Sequence, residues 1–275
     1  MTHVKVICGG RSDGSAADRA AAEYDRQPAE KNKAKTPSLR PLRPQWFDVW
    51  NEEPECEPDA EAEDCCSFSS VRNLLTTSLC DRERNAAFLR GKPWRPLGSW
   101  ALFYALGFDL QGSRYVLVPV SDAMMRDWDV DADQLHQEAV ANARLLSPAW
   151  LERADSGPRE KEIPRCNLLE AGLPGGTAAG PFRLSNRSGT NGASVIGWEG
   201  ILEKTSEVLG GDFVIVPFSV HEVLVLPAAD EELDLNVWRS GLHLFNASPQ
   251  VMPPEDVLSD NLQLYEQATG LLRAV

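Results

Sequence analysis

The residues of this chain best suited to chemistry stand together at Ser219-Val220-His221-Glu222. A hydroxyl, an imidazole and a carboxylate are the parts of nucleophilic catalysis, in which a base takes the hydroxyl proton and a third group orients the base. The spacing works against that chemistry. On an extended strand Ser219 and His221 share one face while Glu222 points to the other, so the carboxylate cannot orient the ring. Asn186, Asn191 and Ser194 are near enough in sequence to add polar groups, either as a small binding pocket or as a cluster that satisfies backbone groups where strands cross. The second is the preferred reading. A metal site on His221 and Glu222 lacks a second histidine at matching spacing. The cysteines at 8, 56, 65, 66, 80 and 166 form no C-x-x-C pair, and neither a metal nor another cofactor is expected.

These residues need elements to hold them, and the stretch from Phe182 to Pro227 supplies the clearest ones. Asn191-Gly192 is a favoured reverse-turn pair because both residue types tolerate positive φ. Ile201, Leu202, Val208 and Leu209 sit at helical spacing. Phe213–Val216 and Val223–Leu226 are apolar runs short enough for buried strands that meet near Pro217. Upstream, Val71, Leu74, Leu75, Leu79 and Ala86–Leu89 recur at helical intervals and predict two short helices or one broken one. Leu97 to Leu110 and Tyr115 to Val120 read as a β-hairpin turning at Gln111-Gly112-Ser113. Asp131 caps a helix over 132–146, with Gln134 three residues on and Leu135, Ala139, Ala143 and Leu146 on one face. His136 falls off that face and reads as a surface residue. Residues 156–180, with repeated Gly and Pro, read as a flexible connection. Leu235 to Phe245 is an amphipathic helix carrying His243. Pro253-Pro254-Glu255-Asp256 opens a last helix reaching Leu272.

Composition bounds the rest. The chain has 275 residues, 43% apolar, with a formal net charge of −14. Such acidity argues against binding nucleic acid, whose phosphates reward clustered Lys and Arg; it leaves binding to a basic protein open, and a protein partner is expected. No apolar run is long enough for a membrane span, and the amino terminus lacks the apolar core of a secretory signal. A cytoplasmic location with reduced thiols is therefore expected. Residues 9–44 are poor in core-forming types and predict disorder. Trp46, Phe47, Val49 and Trp50 follow, then an acidic run from Glu52 to Asp64. Those rings either form an exposed partner-binding peptide, with Trp46 and Trp50 as anchors, or pack onto the domain.

Four segments, Tyr115 to Ala143, Leu184 to Ala193, Asp212 to Pro227 and Asn246 to Tyr265, together resemble an uncharacterised bacterial family known from Gram-positive anaerobes and found near mobile-element genes. Its pattern includes a T-N…G-A turn, a strand ending in P-S-S-I-H-E-V, and a closing P-E-E-V-L-S-D helix. Phe218 stands where the family has its first serine. Ser99 stands where it has an acidic residue, which removes a carboxylate that catalysis would use. The resemblance implies a shared fold over roughly Ser67 to Val275 and no assigned chemistry.

The expectation is an α+β protein: residues 1–66 a disordered acidic and aromatic arm, residues 67–275 one domain with a mainly antiparallel sheet covered by helices. The leading function is a non-enzymatic cytoplasmic accessory or interaction protein of a mobile element that binds another protein. The alternatives are a hydrolase-like enzyme using Ser219 and His221, and an acidic, DNA-mimicking inhibitor of a nucleic-acid-binding protein.

Overall fold

The computed structural model describes residues 67–110, 114–154, 166–173 and 178–275. The expected arm, with Trp46 and Trp50, lies outside the described residues. In chain order the elements are α1 (Phe68–Val71), a 3₁₀ turn (Arg72–Leu74), β1 (Leu75–Asp81), β2 (Trp94–Leu97), β3 (Trp100–Leu110), β4 (Arg114–Pro119), α2 (Asp122–Trp128), α3 (Ala132–Leu146), β5 (Ala149–Arg153) and α4 (Leu168–Ala171). They continue with β6 (Phe182–Asn186), a 3₁₀ helix (Gly192–Gly197), α5 (Ile201–Leu209), β7 (Phe213–Val216), β8 (Val223–Pro227), α6 (Leu235–Asn246), β9 (Gln263–Glu266) and β10 (Leu271–Ala274).

Two antiparallel sheets result. In the first, β3 is central, pairing with β1 on one side and with β2 and β4. The second runs β10-β9-β7-β8-β6-β5. The α+β class is thus observed, with the sheet divided in two. Side-chain alternation explains the architecture: on β7, Phe213 and Ile215 enter the main core while Val214 and Val216 enter the cluster under α6. A strand buried on both faces must be apolar throughout, which is how Phe213–Val216 reads in the sequence. Trp100 and Leu102 of the first sheet share the main core with Phe182, Leu184 and Val225 of the second. That shared core joins the sheets.

The capped helices form where the sequence places them. Asp131 accepts the amides of Asp133 and Gln134 at 2.9 and 2.8 Å and starts α3, and Asp234 starts α6 in the same way. Four expectations fail. The helix expected through 71–79 stops at the 3₁₀ turn that ends at Leu74; Leu75–Asp81 is a strand with Thr76, Thr77 and Ser78 buried, because hydroxyl-bearing and β-branched residues suit a pleated surface. The closing helix is absent as well. Residues 253–262 are irregular and β9 and β10 form a hairpin, with Leu262 and Leu264 facing α6 and Tyr265 facing the main core. Period two describes that segment better than period 3.6. Within the supposed flexible connection, α4 forms behind an Asn167 cap whose side chain also bonds the backbone of β5. Leu146, expected on the buried face of α3, is 73% exposed.

Candidate functional site

Pro217 to Glu222 is a tight turn between β7 and β8, closed by the Ser219 amide on the Glu222 carbonyl at 3.0 Å. The strand face expected to carry both Ser219 and His221 is therefore missing. The Ser219 hydroxyl points back into its own turn and accepts the amides of His221 and Glu222 at 3.1 and 3.3 Å. Such a bond to the next residues is the common local use of serine in turns. Ser219 is also buried.

His221 is held from two other segments. Its Nδ1 accepts the Asn191 amide at 3.0 Å, and its Nε2 lies 3.2 Å from Asp256 Oδ1. Accepting at Nδ1 places the ring proton on Nε2, where it donates to Asp256. The orienting carboxylate is thus Asp256 and not Glu222. Glu222 instead pairs with Arg183 at 3.0 Å, and Arg183 also pairs with Glu152. Burial works against the Arg183 charge, but Glu222 and Glu152 outweigh it and hold the guanidinium above its ordinary value.

Backbone contacts tighten the same place. Val220 donates to the Asp256 carbonyl at 2.9 Å, Ala193 donates to the Val220 carbonyl at 3.2 Å, and the Ser185 hydroxyl donates to the His221 carbonyl at 2.7 Å. Gly192 lies so close beneath that an added Cβ would sit 2.1 Å from Ser185 Oγ and 2.6 Å from the His221 carbonyl. Asn191 adopts φ +51°, which asparagine tolerates. Of the Asn191-Gly192 pair, only the asparagine takes positive φ.

The remaining expected residues serve the join between the sheets. The Asn191 side chain donates to the Thr77 carbonyl at 2.7 Å and accepts from the Ser78 hydroxyl at 2.7 Å, both on β1. Ser194 donates to the Asn191 carbonyl at 3.1 Å and accepts from Thr77 at 3.2 Å, and the Trp198 indole donates to the same Thr77 oxygen. Asn186 closes its own loop, donating to the Thr190 carbonyl and accepting from Ser188 and Gly189. Asn191, Ser194, Ser219 and His221 are brought together, Glu222 faces another way, and Asn186 stands at the rim.

Sequence reading missed Asp81, which is only 2% exposed. Its carboxylate accepts the amides of Glu83 and Arg84, the Ser259 hydroxyl at 2.6 Å and the Asn261 side chain. An aspartate that ends an apolar strand and opens a turn was the available signal. Residues 256–263 thus touch His221 through Asp256, Asp81 through Ser259, Arg84 through Asp260, and the β2–β3 turn through Gln263. His136 is also not an ordinary surface residue: its Nδ1 lies 3.1 Å from the buried Tyr104 hydroxyl.

Among the described residues no three His, Cys, Asp or Glu side chains converge as metal ligands would, and no described helix is long and apolar enough to cross a membrane. Residues 45–267 match the model of a family of unknown function, DUF5688, and the chain belongs to that family. No curated protein and no solved structure matches the chain.

Proposed function

We propose that this chain is a non-enzymatic accessory protein that binds a basic protein partner through its acidic surface. One observation carries the non-enzymatic part: the groups that hydrolysis would require are already committed. Ser219 Oγ is taken by two backbone amides, and both nitrogens of the His221 ring are taken by Asn191 and Asp256. A base whose acceptor nitrogen holds a backbone N–H cannot take a proton without first losing that bond. The net charge of −14 and the acidic run from Glu52 to Asp64 support a basic partner, since charge complementarity steers association. The cytoplasmic setting of the proposal rests on the sequence alone, and the bacterial mobile element on the resemblance alone.

The test uses the full chain as bait in host lysate beside a variant whose acids from Glu52 to Asp64 are changed to amides. Native bait is expected to retain a basic protein that is released as ionic strength rises, because exposed charges are screened over about 10 Å at 0.1 M salt. The neutralised bait is expected to lose it. Equal recovery on both baits, or no capture on either, would overturn the proposal.

A further inference from the structure

At the turn from β2 to β3 the closing segment is pressed against the first sheet. Gly98 holds φ +59° there, and the carboxamide of Gln263 fills the space beside it: an added Cβ would fall 1.5 Å from Oε1 and 2.9 Å from Nε2. Glycine alone admits so close a neighbour at positive φ. Gln263 Oε1 accepts the Ser99 amide at 3.1 Å. That bond fixes which way round the carboxamide sits, because reversing it would set two N–H donors against each other.

The other ends of both groups are left over. Gln263 is 0% exposed, and its Nε2 and the Ser99 hydroxyl oxygen are buried atoms with no hydrogen-bond partner among the described residues. Nε2 can only donate, whereas a hydroxyl can donate or accept. Buried polar atoms in folded proteins are paired, with protein or with ordered water, because an unmade bond costs the full desolvation of the group. Both atoms lie a short covalent path from the 3.1 Å contact between Ser99 and Gln263, so one small group set between them would serve both. It must accept from Nε2 and meet a hydroxyl as well. Water does both, and a buried water needs only two to four such partners. An anion would accept but not donate, and a chain of net charge −14 does not attract one. Gly98 is exposed at the same turn, which gives solvent its way in.

We propose that Ser99 Oγ and Gln263 Nε2 together bind one water molecule, which ties the closing segment to the first sheet beside the direct bond from the Ser99 amide. This site lies apart from the functional proposal and does not depend on it.

The test is NMR of the isotope-labelled, full-length protein. The side-chain amide signals of Gln263 are identified as the pair missing from the near-isosteric variant Gln263→Glu. In the native chain these protons are expected to show cross-peaks at the water frequency, of opposite sign in laboratory-frame and rotating-frame experiments, which marks a water held in place and not one passing by. The Ser99 hydroxyl proton also reaches that frequency by exchange, so the measurement is repeated on Ser99→Ala, where the cross-peaks are expected to persist. Their absence from the native chain would overturn the proposal, since Nε2 would then have some other partner. Their loss in Ser99→Ala would also overturn it, since the hydroxyl itself would then be that partner.

Discussion

At the residue scale, the segment that looked most chemical is the one most fully consumed by structure. Ser219, His221 and Asn191 spend their polar atoms on backbone groups and on one another, and Gly192 is pressed against the His221 carbonyl. This is the economy of buried polar groups, where an unmade bond costs more than a made one returns. The tightest point yields a direct expectation. Gly192→Ala forces a Cβ into contact with a backbone oxygen that cannot move freely, and its cost should be about 3 kcal/mol or more in denaturant unfolding. A loss below about 1 kcal/mol would mean that the turn relaxes and the packing is looser than described.

At the element scale, legibility followed how local the signal was. α3 was visible because it begins with an aspartate whose own side chain caps it, α6 as an amphipathic apolar pattern, and β7 and β8 as short apolar runs. β1 was not, because Leu75 and Leu79 also fit a helix and only the intervening Thr76-Thr77-Ser78 favoured a strand. The closing segment misled for a related reason. Pro254-Glu255-Asp256 has the chemistry of a helix start, yet the Asp256 carboxylate is drawn to His221, 35 residues away, and its backbone carbonyl to Val220. Sequence spacing identified His221 but could not identify its partner, since nothing local connects residue 221 to residue 256.

His136 makes an element-scale test, for it lies where α3 meets β3. Burial first, then the Arg95 charge, lowers its pKa from the ordinary 6.5, with Arg144 adding to this and Asp133 and Glu199 opposing it. The unfolded chain therefore takes up this proton before the folded one. Its contribution to stability is whole above about pH 6.5 and is lost as pH falls from there toward the lowered native value. In melts between about pH 7 and about pH 5, His136→Gln should lose less Tm than the native chain. Equal slopes would show that the ring does not feel its burial.

At the scale of the whole molecule, two sheets are held as one body by a shared apolar core and by polar links at its margin. β1 is the meeting place: it receives Asn191 near its middle and Ser259 at its end. On the face of the first sheet turned away from the join, Cys80 packs against Phe88, Leu89 and Phe103, and its thiol is pushed up to about 12 by burial and then by Asp81, although part of the residue reaches solvent. Cys166 is exposed. In the native protein at about pH 8, an alkylating reagent followed by peptide mass mapping should modify Cys166 and spare Cys80 until denaturant is added. Comparable labelling of the two would show that the first sheet opens readily.

We propose that the Ser219–His221 turn is a structural lock between segments and not a catalytic centre. Catalytic groups are commonly held at a cost to stability, so removing them leaves a protein as stable or more so. Lock residues behave oppositely. The decisive measurement is the unfolding free energy of full-length Ser219→Ala and His221→Ala beside the native chain. The structure predicts that each loses about 1–3 kcal/mol, because backbone amides and Asp256 are left without their partners. Unchanged or increased stability in both variants would contradict it and return the serine and histidine to the list of reactive groups.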